Sequence, residues 1–119
     1  MLNSLADEIG GFEGNAQTFR ILTKLERKFP TIDGLNLTKR TLLGVVKYSY
    51  LRSSNPNKFL YEDDYLFVKT KINPDLKDGK QTIDCQVMDL ADEIAYAAHD
   101  LEDSLHQGIL NAEDLIFYV

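Results

Sequence analysis

At 119 residues the chain is at most one domain, long enough to bury a core of its own. Hydrophobic residues at 44% and charged residues at 27% are ordinary proportions for a globular chain. A formal charge of −6 argues against a general nucleic-acid binder, which presents a basic surface, but leaves room for a phosphate ligand held by a metal or a few well-placed Lys and Arg. No apolar run approaches the ~20 residues that span a membrane, and no basic-then-apolar leader opens the chain. A single Cys85 excludes an internal disulfide framework and fits a reducing compartment, so a cytoplasmic location is expected.

Leu2, Leu5 and Ile9 predict a short amphipathic turn or two, ended by Gly10-Gly11. Asn15 is a competent N-cap for the helix that follows, whose apolar stripe is Phe19, Leu22, Leu25 and Phe29 and whose stop is Pro30. Thr31 to Asn36 reads as a turn. Thr38 then caps a second helix, with Leu37 and Leu42 as a hydrophobic staple, carried to Tyr50 by Leu42, Val45, Val46 and Tyr48. Lys47 and Tyr48 would sit at its C-terminal end, where exposed carbonyls favour a cation.

Ser53 to Asn57 is a loop leading to Lys58, and Asp63 and Asp64 read as helix-start acids. Tyr65, Phe67, Val68 and Ile72 fit neither a clean strand nor a long helix. Asn73 to Lys80 is a polar connection holding Pro74 and Gly79. The main helix starts near Gln81 to Asp84 and runs to about Gln107, stopped by Gly108, and Cys85 is read as one of its small residues. Asn111 caps a last helix with Leu115, Ile116 and Phe117, and the abrupt apolar end at Val119 reads as a truncation. The expected fold class is all-α.

The main helix separates into two opposed stripes. Val87, Ala91, Ile94, Ala98, Leu101 and Leu105 recur at steps of four and three, the apolar face. Asp92, Tyr96, His99, Asp100 and Asp103 follow the same steps opposite. At ~100° per residue, Asp92, Tyr96 and Asp100 lie within about 80° of one another and can reach one small ligand. A solvated acidic face is the plain reading of that stripe. Against it stand a Tyr between two aspartates and the run of Ala91, Ala95, Ala97 and Ala98, which lets other backbones approach.

Ala91-Asp92-Glu93-Ile94-Ala95-Tyr96, followed by His99-Asp100-Leu101-Glu102-Asp103, resembles the late motif of the deoxynucleoside triphosphate triphosphohydrolases, the dGTPase-like members of the HD metal-dependent phosphohydrolase superfamily. Phe12-Glu13-Gly14-Asn15-Ala16-Gln17 matches the same family's FEGNAQ motif, and similarity continues through Leu25. The resemblance makes Asp92 the last ligand of a divalent metal (Mg, Mn or similar) held by an H…HD…D set. Tyr96 and Asp100 then face the deoxyribose. Asn15 and Gln17 become polar contacts beside the site. Val46-Lys47-Tyr48 is similar to an element that approaches the substrate phosphates, with Ser49 where the family often has Pro. Lys58, in a stretch similar to the family's Lys-Phe element, is a second phosphate candidate.

The same resemblance makes the chain one partial domain, residues 1–119, from the middle of the family's length. The first His and the His-Asp pair would precede Met1. His99-Asp100 spells the dipeptide but lies inside the late motif, and neighbours on one helix diverge by about 100°. Metal-assisted hydrolysis needs the whole ligand set. The implied function is therefore dNTP hydrolysis to deoxynucleoside and triphosphate, with dGTP a possible substrate. This chain alone is expected to hold no metal stably and to be inactive. The alternative is a non-catalytic nucleotide-binding or subunit-interaction module. Exposed apolar surface would favour homo-oligomers or other association.

Overall fold

The computed structural model describes residues 1–116. In chain order it holds α1 (Leu2–Leu5), a 3₁₀ turn (Asp7–Ile9), α2 (Gly14–Arg20), α3 (Lys39–Gly44), α4 (Glu62–Phe67), α5 (Ile83–His106) and α6 (Ala112–Ile116). The fold is all-helical. Among the described residues no strand forms, only isolated bridges between Phe29 and Ile32 and between Leu51 and Leu60. No helix among them is long and apolar enough to cross a membrane. The chain divides into two compact units, the first Met1–Met88 and the second beginning at Asp89.

The core of the first unit gathers Ala16 and Phe19 from α2, Leu42 from α3, Val46, Leu60, and Val68 and Ile72 beyond α4. Each fully buried Val, Leu or Phe contributes roughly 1.5–3 kcal/mol of transfer free energy. Leu37 packs on the same cluster as Leu42, as the staple around Thr38 requires. The Thr38 side chain accepts the Thr41 N–H at 3.3 Å, so the second helix begins where its cap was expected.

Four expectations need correction. Asn15 is not the cap of α2: Glu13, in extended conformation, takes that place and accepts the Ala16 N–H at 2.8 Å. The helix also ends at Leu25, four residues short of Phe29, and a rival donor explains why. Leu35 N–H takes the Leu22 carbonyl at 2.9 Å, so Glu26 N–H drops back to Ile21, making Ile21–Leu25 a π-helical turn. Gly34 permits that approach, with φ +69 and a position where a Cβ would collide with the Leu22 carbonyl. Leu25 and Phe29 are consequently exposed.

The third correction concerns α3, which ends at Gly44 rather than Tyr50. Gly and two β-branched valines are weak helix formers, and side chains from further on hold the following carbonyls. Cys85 Sγ donates to Val46 O at 3.4 Å and Gln81 Nε2 to Lys47 O at 3.3 Å. The fourth concerns Tyr65 to Ile72, which is helical after all: α4 continues into a π-helical turn over Val68–Ile72. Its buried stripe is Asp64, Val68 and Ile72, and the first member, being an acid, hid the period.

α5 starts and stops close to expectation. Thr82 Oγ1 accepts the Cys85 N–H at 3.3 Å at its start. Gly108, at φ +70, ends it in a Schellman motif, with Ile109 N–H on Ser104 O and Gly108 N–H on Leu105 O. Asn111 caps α6 by accepting the Asp114 N–H at 2.9 Å, while Asp114 accepts the Asn111 N–H at 3.1 Å. Phe117, expected in that helix, and Val119 lie outside the described residues.

Candidate functional site

In the first unit, Lys47, Tyr48 and Lys58 are brought together. Tyr48 follows α3 on a non-helical run, half-buried. The next residue anchors it: Ser49 is fully buried, and its Oγ accepts the Gly79 N–H at 2.9 Å. Lys58 arrives through a loop shaped by Asn55, whose side chain accepts the Lys58 N–H at 3.2 Å. The Lys58 ammonium lies 4.8 Å from the Tyr48 ring centroid and the Lys47 ammonium 5.6 Å. Both fall within cation–π range of one ring. Two cations drawn to a common platform suit a ligand with several negative charges.

Asn15 and Gln17 stand in α2, half-buried, and each is gripped by a neighbour. Asn15 Nδ2 donates to Glu13 Oε1 at 3.1 Å. Gln17 Oε1 accepts from the Tyr61 hydroxyl at 3.0 Å. Burial, foremost, raises the Tyr61 phenol above its ordinary pKa, against lowering by a backbone hydrogen bond with Glu13 and by the Arg20 charge. The Arg20 guanidinium stacks 4.4 Å over that ring.

Arg20 also belongs to a charge cluster that sequence reasoning missed. Asp64 has no exposed surface, and its carboxylate meets Arg20 Nε at 3.0 Å and Lys24 Nζ at 3.0 Å. Asp63 beside it pairs with both cations, at 2.6 Å from Lys24. The Lys24 hydrogen bond, above all, holds Asp63 below the usual carboxylate range, against the opposing effect of burial. Burial pushes Lys24 down, but hydrogen bonds to Asp63 and Asp64 outweigh it and leave its pKa raised. Gln17, Arg20 and Lys24 share one helix face, so the motif helix is locked onto the start of α4. The signal in the sequence was only complementary charge, forty-odd positions apart. Arg20, Arg52, Tyr61 and Asp63 also line a cavity of about 790 Å³.

In the second unit, Asp92 and Tyr96 line a shallow concavity of about 250 Å³ on α5 together with Ala95 and His99. Tyr96 is 64% exposed. Asp100 stands exposed one turn further on, on the same helix. His99 Nε2 lies 3.6 Å from Asp103 and His106 Nε2 lies 3.9 Å from Glu102, each along its own helix face. Among the described residues no three His, Cys, Asp or Glu side chains are grouped to hold a metal ion. Asp92 does not assemble a metal centre with them. The apolar stripe of α5 is also open: Val87, Ile94, Leu101 and Leu105 are all exposed.

No protein-family model matches the chain. It is similar over nearly its whole length to deoxyguanosinetriphosphate triphosphohydrolase-like protein 2 of Vibrio cholerae, 48% identical over 116 residues, covering 98% of this chain and 29% of that protein. The deoxyguanosinetriphosphate triphosphohydrolase-like protein of Streptomyces coelicolor is 42% identical over 123 residues, covering 97% and 29%. That of Histophilus somni is 38% identical over 154 residues, covering 92% and 34%. The chain thus spans about a third or less of the length of these curated relatives.

Proposed function

From a chain homologous, over nearly its whole length, to part of the deoxyguanosinetriphosphate triphosphohydrolase-like proteins, we propose that it forms a nucleotide-facing portion of a dNTP triphosphohydrolase. The whole reaction is hydrolysis of a dNTP to a deoxynucleoside and intact triphosphate, with dGTP the first substrate to test. Lys47 and Lys58, gathered on Tyr48, take the phosphates. Tyr96 and Asp100 meet the deoxyribose, and Asn15 and Gln17 supply polar contacts at the edge. A divalent metal belongs to the complete site, where its charge would acidify a water. Asp92 is one carboxylate ligand for it, and the rest come from outside this chain. Alone, the chain turns over dNTP negligibly, and its open apolar stripe on α5 drives self-association or pairing with the part that completes the site.

The observation that carries this reading is the convergence of both lysines on the one Tyr48 ring. Calorimetric titration with dGTP and with inorganic triphosphate tests it. Binding of both ligands, lost for both in a Lys47→Ala/Lys58→Ala variant and for dGTP alone in Tyr96→Ala, is the expected result. Failure of wild type to bind either ligand overturns it. The exposed apolar residues Ile94, Leu101 and Leu105 of α5 favour a second reading, a non-catalytic nucleotide-binding or subunit-interaction module. Triphosphate release when the chain is mixed with a histidine-bearing partner segment, and none from either alone, decides for the first.

A further inference from the structure

We propose that Glu13 is a positioning residue that fixes the Asn15 side-chain amide for its ligand, an inference that rests on the phosphate-and-nucleoside reading above. Glu13 is only 6% exposed, and its two carboxylate oxygens have divided tasks. Oε2 accepts the Ala16 backbone N–H at 2.8 Å and so starts α2. Oε1 accepts Asn15 Nδ2 at 3.1 Å. A carboxylate can only accept, so this contact determines which end of the Asn15 amide faces it. One amide hydrogen is committed to Glu13, and the carbonyl oxygen and the second hydrogen are left, in one orientation, for whatever occupies the half-exposed side.

Helix capping alone does not call for a glutamate. Ser, Thr, Asp and Asn are the usual caps, and each reaches the N2 or N3 amide with a shorter side chain. A longer carboxylate, buried and accepting from two donors, serves the cap and the adjacent amide at once. Its second contact is the one a mere cap would not need.

The two tasks separate in Glu13→Gln. Glutamine keeps one carbonyl oxygen, which the immovable backbone N–H of Ala16 claims. Its amide nitrogen then faces Asn15 and forces that side chain to turn over, presenting the opposite end to the ligand. The experiment measures inorganic triphosphate and dGTP affinity and the thermal midpoint for wild type, Glu13→Gln, Asn15→Ala and the double variant. We expect Glu13→Gln to weaken binding of at least one ligand by about tenfold while the midpoint stays near wild type. The double variant should bind no worse than Asn15→Ala, because the two residues act as one unit. In nitrogen-resolved NMR, the Asn15 side-chain amide of wild type should show one proton protected from exchange, and Glu13→Gln should lose that protection.

Wild-type affinity in Glu13→Gln, with Asn15→Ala weakened, overturns the positioning role and leaves the phosphate-and-nucleoside reading standing. Asn15→Ala binding like wild type, while the lysine variant fails, removes Asn15 from the site and this inference with it. No binding by wild type overturns the underlying reading itself.

Discussion

The candidate residues of the two units are held by different physics. In the first unit, Gln17 is held by the phenol of Tyr61, forty-four positions on, and Lys58 lies over the Tyr48 ring, ten positions back, while Asn15 and Lys47 meet near neighbours in the chain, the buried Glu13 carboxylate and the same Tyr48 ring. Tertiary packing places the partners Tyr61 and Lys58. In the second unit, Asp92, Tyr96 and Asp100 are aligned by nothing more than the period of α5, and they stand exposed on it. The contrast separates residues placed by a fold from residues placed by a repeat. It also says which half survives damage to the core.

Removing one carboxylate from each region should separate packed from exposed placement most strongly. Asp64→Ala empties a fully buried carboxylate site and leaves Arg20 and Lys24 with Asp63 alone, and should cost about 1.5–3 kcal/mol in urea titration. Asp92→Ala, on the open helix face, should stay within about 0.5 kcal/mol of wild type in the same titration. Equal losses would mean that α5 is packed as firmly as the core. Next in size is Gly108→Ala. Its φ of +70 puts an L residue in the left-handed region, so about 1–2 kcal/mol should be lost. Circular dichroism should locate that loss in fraying of α5, with the Phe19 core intact.

Smaller still is Tyr61→Phe, which keeps the ring under Arg20 and deletes only the hydroxyl on Gln17. About 0.5–1.5 kcal/mol is expected by chemical denaturation. The least effect is that of Asp63, and pH sharpens it. Its folded pKa is depressed, so its contribution is full above the ordinary carboxylate pKa and disappears as pH falls through the folded value. Lys24, raised, contributes below the ordinary lysine pKa and loses that contribution as pH rises through its own folded value. Asp63→Asn should therefore be less stable than wild type at neutral pH and converge with it in acid. A gap that persists at low pH would show that the pair acts through packing rather than charge.

What was legible in the sequence follows the same division. The start and stop of α5 were written locally, in the 3.6-residue period and in Gly108, and so were the Thr38 cap and its staple. The early end of the α2 helix was not, because it depends on Leu35 taking a carbonyl thirteen positions back. Asp64 concealed the α4 stripe for a similar reason: an acid reads as surface until its two cations, forty and more positions earlier, are in place. The candidate residues on α5 could be found by spacing. The groups that hold the first-unit candidates, buried Glu13 and half-buried Tyr61, could not, since nothing local distinguishes a pinning side chain from a solvated one.

Cys85 is the only cysteine of the chain, wholly buried, with its Sγ on the Val46 carbonyl. A thiol so enclosed meets a small alkylating reagent only when the surrounding packing parts, and so its labelling rate keeps time for that opening. The molecule thus carries its own clock. Read against reagent concentration, it would report how often the first unit breathes, with no residue substituted to introduce a label.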